Sequence, residues 1–291
     1  MNDALSGVTP DVDLPPWEQI YNERLAKIRD QIAKQLDTRF SSNPFRSLRR
    51  RFVVAHAPRV GSHLLCEGLL AHGAVVDEYF EVPLMHAASR KRGFTTLQQY
   101  CEWRLSQVAV NGVFGVSGGV KALAPLALAG EIPEFVSEWG FVHLTREDIV
   151  ARAVSELIAM QTGAYKSSRT PMRRVTDEDY NPVRLRNLID AALTVNAAWE
   201  GAFKTYGVEP YRLTYESLCT DTPSRVAQVA EHLGLNGAPV KEARFQAPKL
   251  TKQATSINDR WTQRFRAENK AFCEERQSGV FVPQSVQVLR G

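Results

Sequence analysis

Arg59, Gly61, Ser62 and His63 stand within five positions of one another. The apolar run Phe52–Ala55 lies just upstream, and Leu65, Leu69 and Leu70 recur just downstream. Pro58 and Gly61 punctuate the stretch, and the leucines hold helical spacing, so it reads as a short buried strand, a tight turn and a helix. A strand that feeds a helix N-terminus through such a turn aims several backbone N–H groups at one spot. That spot binds an anion, usually a phosphate. The nucleotide-triphosphate loop needs a Lys followed by Ser or Thr at the helix start. Here the run is Pro58-Arg59-Val60-Gly61-Ser62-His63, with the cation early and no such pair. Phosphate binding without a magnesium-bound triphosphate fits it better.

A second constellation repeats the pattern. Phe141–Leu144 is a buried-strand run that ends at Thr145-Arg146. Ile149, Val150, Ala153, Val154, Leu157 and Ile158 then form a helical stripe, and Ser155 lies nine residues beyond Arg146. Two anion sites at the carboxyl ends of neighbouring parallel strands suit a ligand with phosphates at both ends of a nucleoside. Between them, Ala74-Val75-Val76 reads as a short strand leading to Glu78-Tyr79-Phe80. Each residue also has a plainer reading. Arg59 could be a surface charge, Glu78 an exposed carboxylate, His63 a local cap and Ser155 a tolerated helix serine. Tyr215 and Trp261 read as packing residues, and His56, His86 and His143 as satisfied structural groups.

The elements that must position these residues follow from periodicity. Helices are expected over 16–40, 84–111, 123–135 in part, 184–206 and, shorter, 261–272. Strands are expected over 112–120 and 211–215, and a helix capped by the Thr222 hydroxyl, with Pro223 at its first position, runs to Gly234. Arg46, Arg49, Arg50 and Arg51 read as a solvated basic face. The segment 162–183, with Lys166, Arg169, Arg173 and Arg174, reads as a lid or binding loop. Strands alternating with helices predict an α/β fold, a mostly parallel sheet covered on both faces. The expected organisation is a tail and amphipathic helix over 1–48, an α/β domain over 49–275 and a tail over 276–291. The first helix is an arm, a dimer contact or a packing helix, so a homodimer is one expectation.

Composition sets outer bounds. The 291 residues are 44% hydrophobic, which suits one α/β domain with extensions, or at most two domains. A net charge of +4 permits anionic ligands without demanding nucleic acid. Four dispersed cysteines show no metal spacing and fit a reduced, cytoplasmic protein. No charged leader followed by an apolar run is seen, and no apolar stretch approaches the roughly 20 residues of a membrane span.

Taken in order, these blocks resemble the PAPS-dependent sulfotransferase superfamily, nearest the bacterial trehalose 2-sulfotransferase-like group. The resemblance runs over roughly residues 50–270. Its blocks are Arg59–Leu65, where the family has Arg-Ser-Gly-Ser-Thr-Leu-Leu; Glu78-Tyr79-Phe80; Gly112–Gly115 with Lys121; Arg146–Val150 through Ser155 and Gln161-Thr162; Tyr215–Leu218; and Gln253 with Arg260–Phe265. It implies a P-loop-like three-layer fold and PAPS (3′-phosphoadenosine 5′-phosphosulfate) as sulfuryl donor. It implies no metal and a carbohydrate or glycolipid acceptor, the latter with peripheral contact to a membrane surface. It also implies roles. Arg59, Val60, Gly61, Ser62, His63 and Leu64 would hold the 5′-phosphosulfate, and Arg146 and Ser155 the 3′-phosphate. Glu78 would be the general base, with His63 as the other candidate and Arg59 as the fixed positive charge. Val60 and His63 stand where the family has hydroxyls. A nucleotide-fold module that binds an anionic partner without catalysis is the competing expectation.

Overall fold

The computed structural model describes residues 16–132, 134, 136–165, 170–241 and 256–277. Lys166, Arg169, Gln253 and the two tails expected from the sequence lie wholly or mostly outside them. In chain order the elements are α1 (Pro16–Ala33), β1 (Arg50–His56), α2 (Ser62–Leu69), β2 (Val76–Asp77), α3 (Val82–Arg92), α4 (Leu97–Val108), β3 (Val113–Gly118), α5 (Ala124–Leu128), β4 (Trp139–Thr145), α6 (Ile149–Thr162), α7 (Pro182–Tyr206), β5 (Tyr211–Thr214), α8 (Tyr215–Thr220), α9 (Thr222–His232), α10 (Ser256–Glu268) and α11 (Lys270–Gln277).

The five strands form one parallel sheet in the order β2-β3-β1-β4-β5. This is the expected α/β architecture. β1 is central, and its neighbours β3 and β4 both end at the same edge as it does. Strand alternation divides its side chains between two cores. Val53 and Ala55 join the cluster built with α1, α4 and α7, which includes Ile32, Tyr100 and Trp199. Phe52 and Val54 join the opposite cluster with α2 and α9, including Leu65, Leu69, Val226 and Val229. Gly115 of β3 is required here, because a Cβ would lie 2.3 Å from the Phe52 ring. A third cluster sets α6 and α7 against α10, with Trp261 and Phe265 at its centre.

Several local expectations change. The 84–111 helix is two, α3 and α4, separated at Gly93, whose φ of 72° ends α3. Tyr215 opens α8 rather than closing β5, with Thr214 capping that helix. Asp221, not Thr222, caps α9 by accepting from the Ser224 N–H, while the Thr222 hydroxyl donates to Leu218 O. Two helices, α10 and α11, replace the single C-terminal one. The arginine run is not a uniform solvated face. Arg51 is buried in β1, paired with the fully buried Glu131 at 2.8 Å and with Glu138. Glu131 also accepts from Trp139 Nε1 and Asn43 Nδ2, both at 2.7 Å, so the buried charges are satisfied. The first helix packs within the chain, placing Ile32 at 0% exposure in the core.

Candidate functional site

The β1–α2 turn is where the sheet's central strand releases the chain. Two residues of it hold left-handed backbone, Arg59 at φ 67° and Gly61 at φ 84°. The second needs glycine twice over, since a Cβ there would also lie 2.6 Å from Tyr215 Cδ2. Arginines tie back two carbonyls of the turn. Arg152 Nη1 donates to Pro58 O at 3.1 Å, and Arg146 Nη1 donates to Arg59 O at 3.4 Å. In a trans peptide the N–H points away from its C=O. Fixing these carbonyls against α6 and the β4 end therefore turns the Arg59 and Val60 N–H groups the other way. Successive N–H groups turned one way and followed by a helix N-terminus are the geometry from which anion-binding concavities are built.

Arg59 and Arg146 meet because β1 and β4 are parallel neighbours, with His56 opposite Leu144. Arg59 Nε donates to Ser155 Oγ at 3.1 Å, and its guanidinium also donates to Tyr165 O. Burial lowers the Arg59 pKa, with the nearby Arg146 acting the same way and the Glu156 and Glu78 carboxylates opposing both. Arg146 lies over the Tyr215 ring at 4.5 Å, and its Nε is 3.8 Å from Glu216. That Nε is buried and has no hydrogen-bond partner among the described residues. Glu216 in turn accepts from the Glu147 and Asp148 N–H groups, holding the Arg146 corner in place.

The structure thus brings Arg59, Arg146 and Ser155 together around the turn, with Ser62 and His63 in the first turn of α2. Val60 is 1% exposed, its side chain packed in the α2/α9 core. Leu64 packs against that core too, and its N–H donates to Gly61 O at 3.0 Å. Glu78 follows β2 and reaches the same sheet edge, its Oε1 3.9 Å from His56 Nε2. Lys121 pairs instead with Glu81 at 2.6 Å.

Two further residues matter here, Arg152, which the sequence reading missed, and His56, which it took as a satisfied structural group. Arg152 is 2% exposed and donates to Pro58 O, Glu156 and Leu188 O, so it braces the turn from below. Its signal was a cation set among the apolar stripe of α6, which requires a buried partner. His56 is the last residue of β1, following the apolar run Phe52–Ala55, and bonds Ala57 O and Ser117 Oγ. Among the described residues no group of His, Cys, Asp and Glu could hold a metal, and no helix is long and apolar enough to cross a membrane.

A parallel sheet with a tight, cation-braced turn after its central strand defines a P-loop-like α/β protein whose donors suit an anionic ligand. Residues 126–268 match the family model of Stf0 sulphotransferase. A trehalose 2-sulfotransferase of Mycobacterium tuberculosis (strain ATCC 35801 / TMC 107 / Erdman) is 30% identical over 130 residues, 44% of this chain and 46% of that protein. One of Mycolicibacterium smegmatis (strain ATCC 700084 / mc(2)155) is 28% identical over 127 residues, 44% and 45% of the two chains. The chain thus spans about half the length of the curated relatives it matches. The sulfotransferase resemblance read from the sequence stands, and the family match covers Arg146, Ser155 and Tyr215 while Arg59–Leu64 and Glu78 lie outside it.

Proposed function

We infer that the protein moves a sulfuryl group from PAPS to a hydroxyl of a carbohydrate or glycolipid. One observation carries this reading. Arg59 and Arg146, from neighbouring strand ends, converge on one turn, and Arg146 keeps a buried Nε without a hydrogen-bond acceptor among the described residues. A donor set of guanidinium, hydroxyl and N–H groups fits an anionic nucleotide, with the Glu216 carboxylate 3.8 Å from Arg146 Nε at its margin. The family match and the names of the two relatives support the same class of reaction.

PAPS supplies a sulfuryl group already activated by its phosphate leaving group. The chain's residues supply position and charge. Arg59, Gly61, Ser62 and His63 hold the phosphosulfate end, with Val60 contributing backbone alone. Arg146 and Ser155 hold the 3′-phosphate. Arg59 offsets the negative charge that grows on the leaving phosphate, as in other in-line transfers where catalysis is mostly positioning and electrostatics. Glu78 orients the acceptor hydroxyl and takes its proton, and His63 is the competing base.

The non-catalytic reading drew on the missing hydroxyls at positions 60 and 63. Because the Val60 side chain lies in the core, only His63 still favours it. Calorimetry with 3′-phosphoadenosine 5′-phosphate, followed by a transfer assay with trehalose heading a panel of sugars and glycolipids, separates the two. Binding with transfer supports the enzyme. Tight binding with no transfer to any acceptor supports the module, and no binding overturns both.

A further inference from the structure

His56 closes β1 three residues before Arg59, and its ring is 2% exposed. Its Nδ1 lies 2.8 Å from Ala57 O. A carbonyl only accepts, so Nδ1 carries the hydrogen. Nε2 is then an acceptor, and it takes the Ser117 hydroxyl at 2.7 Å. The same Nε2 stands 3.9 Å from Glu78 Oε1. One imidazole therefore joins the end of β1, the end of β3 and the residue after β2, which are the turn and the proposed base. Burial holds the His56 pKa down to about 4, and His63 of α2, His143 of β4 and Lys121 after β3 act in the same sense. Glu78 is the negative group facing it. The ring is neutral near pH 7.

Two acceptors, the Nε2 lone pair and the Glu78 carboxylate, thus face each other. At 3.9 Å they are not hydrogen-bonded, and Nε2 could accept from a protonated Glu78 only after a small approach and once the Ser117 hydroxyl turns away. We propose that His56 is a positioning residue for the transfer, its Nε2 directing the Glu78 carboxylate and raising its proton affinity. The proposal rests on Glu78 as base. In the step, the acceptor O–H bond breaks and a Glu78 O–H bond forms. The acceptor oxygen bonds sulfur as the bond from sulfur to the leaving phosphate oxygen breaks. The proton stays on Glu78, donated toward Nε2 as the Ser117 hydroxyl gives way, and His56 does not ionise.

The test uses the full chain with PAPS and an accepted sugar, comparing wild type with His56→Ala and His56→Gln. The glutamine carbonyl can stand in for Nε2. The readouts are affinity for 3′-phosphoadenosine 5′-phosphate and the pH profile of kcat/KM. His56→Ala is expected to lower kcat on the order of ten-fold, move the acid limb down by about half a pH unit and leave nucleotide affinity within about threefold. His56→Gln should recover part of kcat and move the limb back. Where His56→Ala does not fold, Ser117→Ala takes its place. It leaves Nε2 to Glu78 alone and should move the limb upward. An unmoved limb, or a loss fully accounted for by weaker nucleotide binding, overturns the proposal and leaves His56 as a prop of the turn. Full turnover by Glu78→Gln overturns it together with the base assignment while transfer itself survives. A wild type that transfers nothing fails at the earlier step and removes the activity as well.

Discussion

Arg146 and Glu78 are expected to act separately, one on nucleotide affinity and the other on turnover. Arg146→Ala removes a charged donor beside a buried corner, and affinity for 3′-phosphoadenosine 5′-phosphate should fall by roughly ten- to a hundred-fold in calorimetry. Undiminished affinity would show that the 3′-phosphate is held elsewhere. Glu78→Gln should leave that affinity intact and lower kcat by about 10²- to 10⁴-fold, the usual range for loss of a general base. Loss of turnover in His63→Gln with none in Glu78→Gln would move the base to α2. Arg59, Arg146 and Ser155 were legible in the sequence, because strand-to-helix junctions reveal themselves through apolar runs. Val60 was not, since sequence spacing does not say which turn side chain folds inward. His56 was read as a satisfied structural group, as its bonds to Ala57 O and Ser117 Oγ agree, but its nearness to Glu78 was hidden for a related reason. A polar residue in a buried strand signals only that some partner exists, and Ser117 and Glu78 lie far off in sequence.

At the scale of elements, the turn is shaped by what braces it. Gly61→Ala would force a Cβ against Tyr215 at a φ of 84°. The variant should lose about 1–3 kcal/mol in urea unfolding, with nucleotide affinity falling alongside. Arg152→Met removes the guanidinium under Pro58 O and strands the Glu156 carboxylate at the edge of the α6/α7 core. Breaking a buried pair from one side costs about 3–5 kcal/mol, and the same unfolding measurement should show it. A loss below 1 kcal/mol would mean that Arg152 is not the brace. Element types were read well where the pattern was long, as in α6 and α7. Boundaries shifted where local hydrogen bonding decided them. Asp221 outcompeted Thr222 for the α9 cap, and Thr214 took Tyr215 into α8. Arg51 was misread because charge in a run suggests solvent, whereas its partner Glu131 is 80 positions away.

Across the whole molecule, the strand order sets the site. β1 lies between β3 and β4, so one edge gathers the turn, Arg146 and Glu78. The alternation of strands and helices made the parallel sheet legible, but the order of strands rests on long-range packing that local periodicity does not encode. The buried histidines give the fold a signature against pH. His56 titrates near 4 when folded and near the ordinary 6.5 when unfolded. Between these values the unfolded chain binds more protons, so stability is full above about pH 6.5 and is lost as pH falls toward 4. This contribution amounts to about 3 kcal/mol, and burial lowers the His143 pKa in the same direction. Unfolding free energies measured across that window should fall, and His56→Gln should flatten the fall. Sulfuryl transfer from PAPS is read from product mass after incubation with labelled PAPS and a panel of sugars and glycolipids. A sulfated acceptor should form one-for-one with 3′-phosphoadenosine 5′-phosphate, strongly reduced in Glu78→Gln. A wild-type protein that yields no sulfated product and does not bind the nucleotide would contradict this expectation.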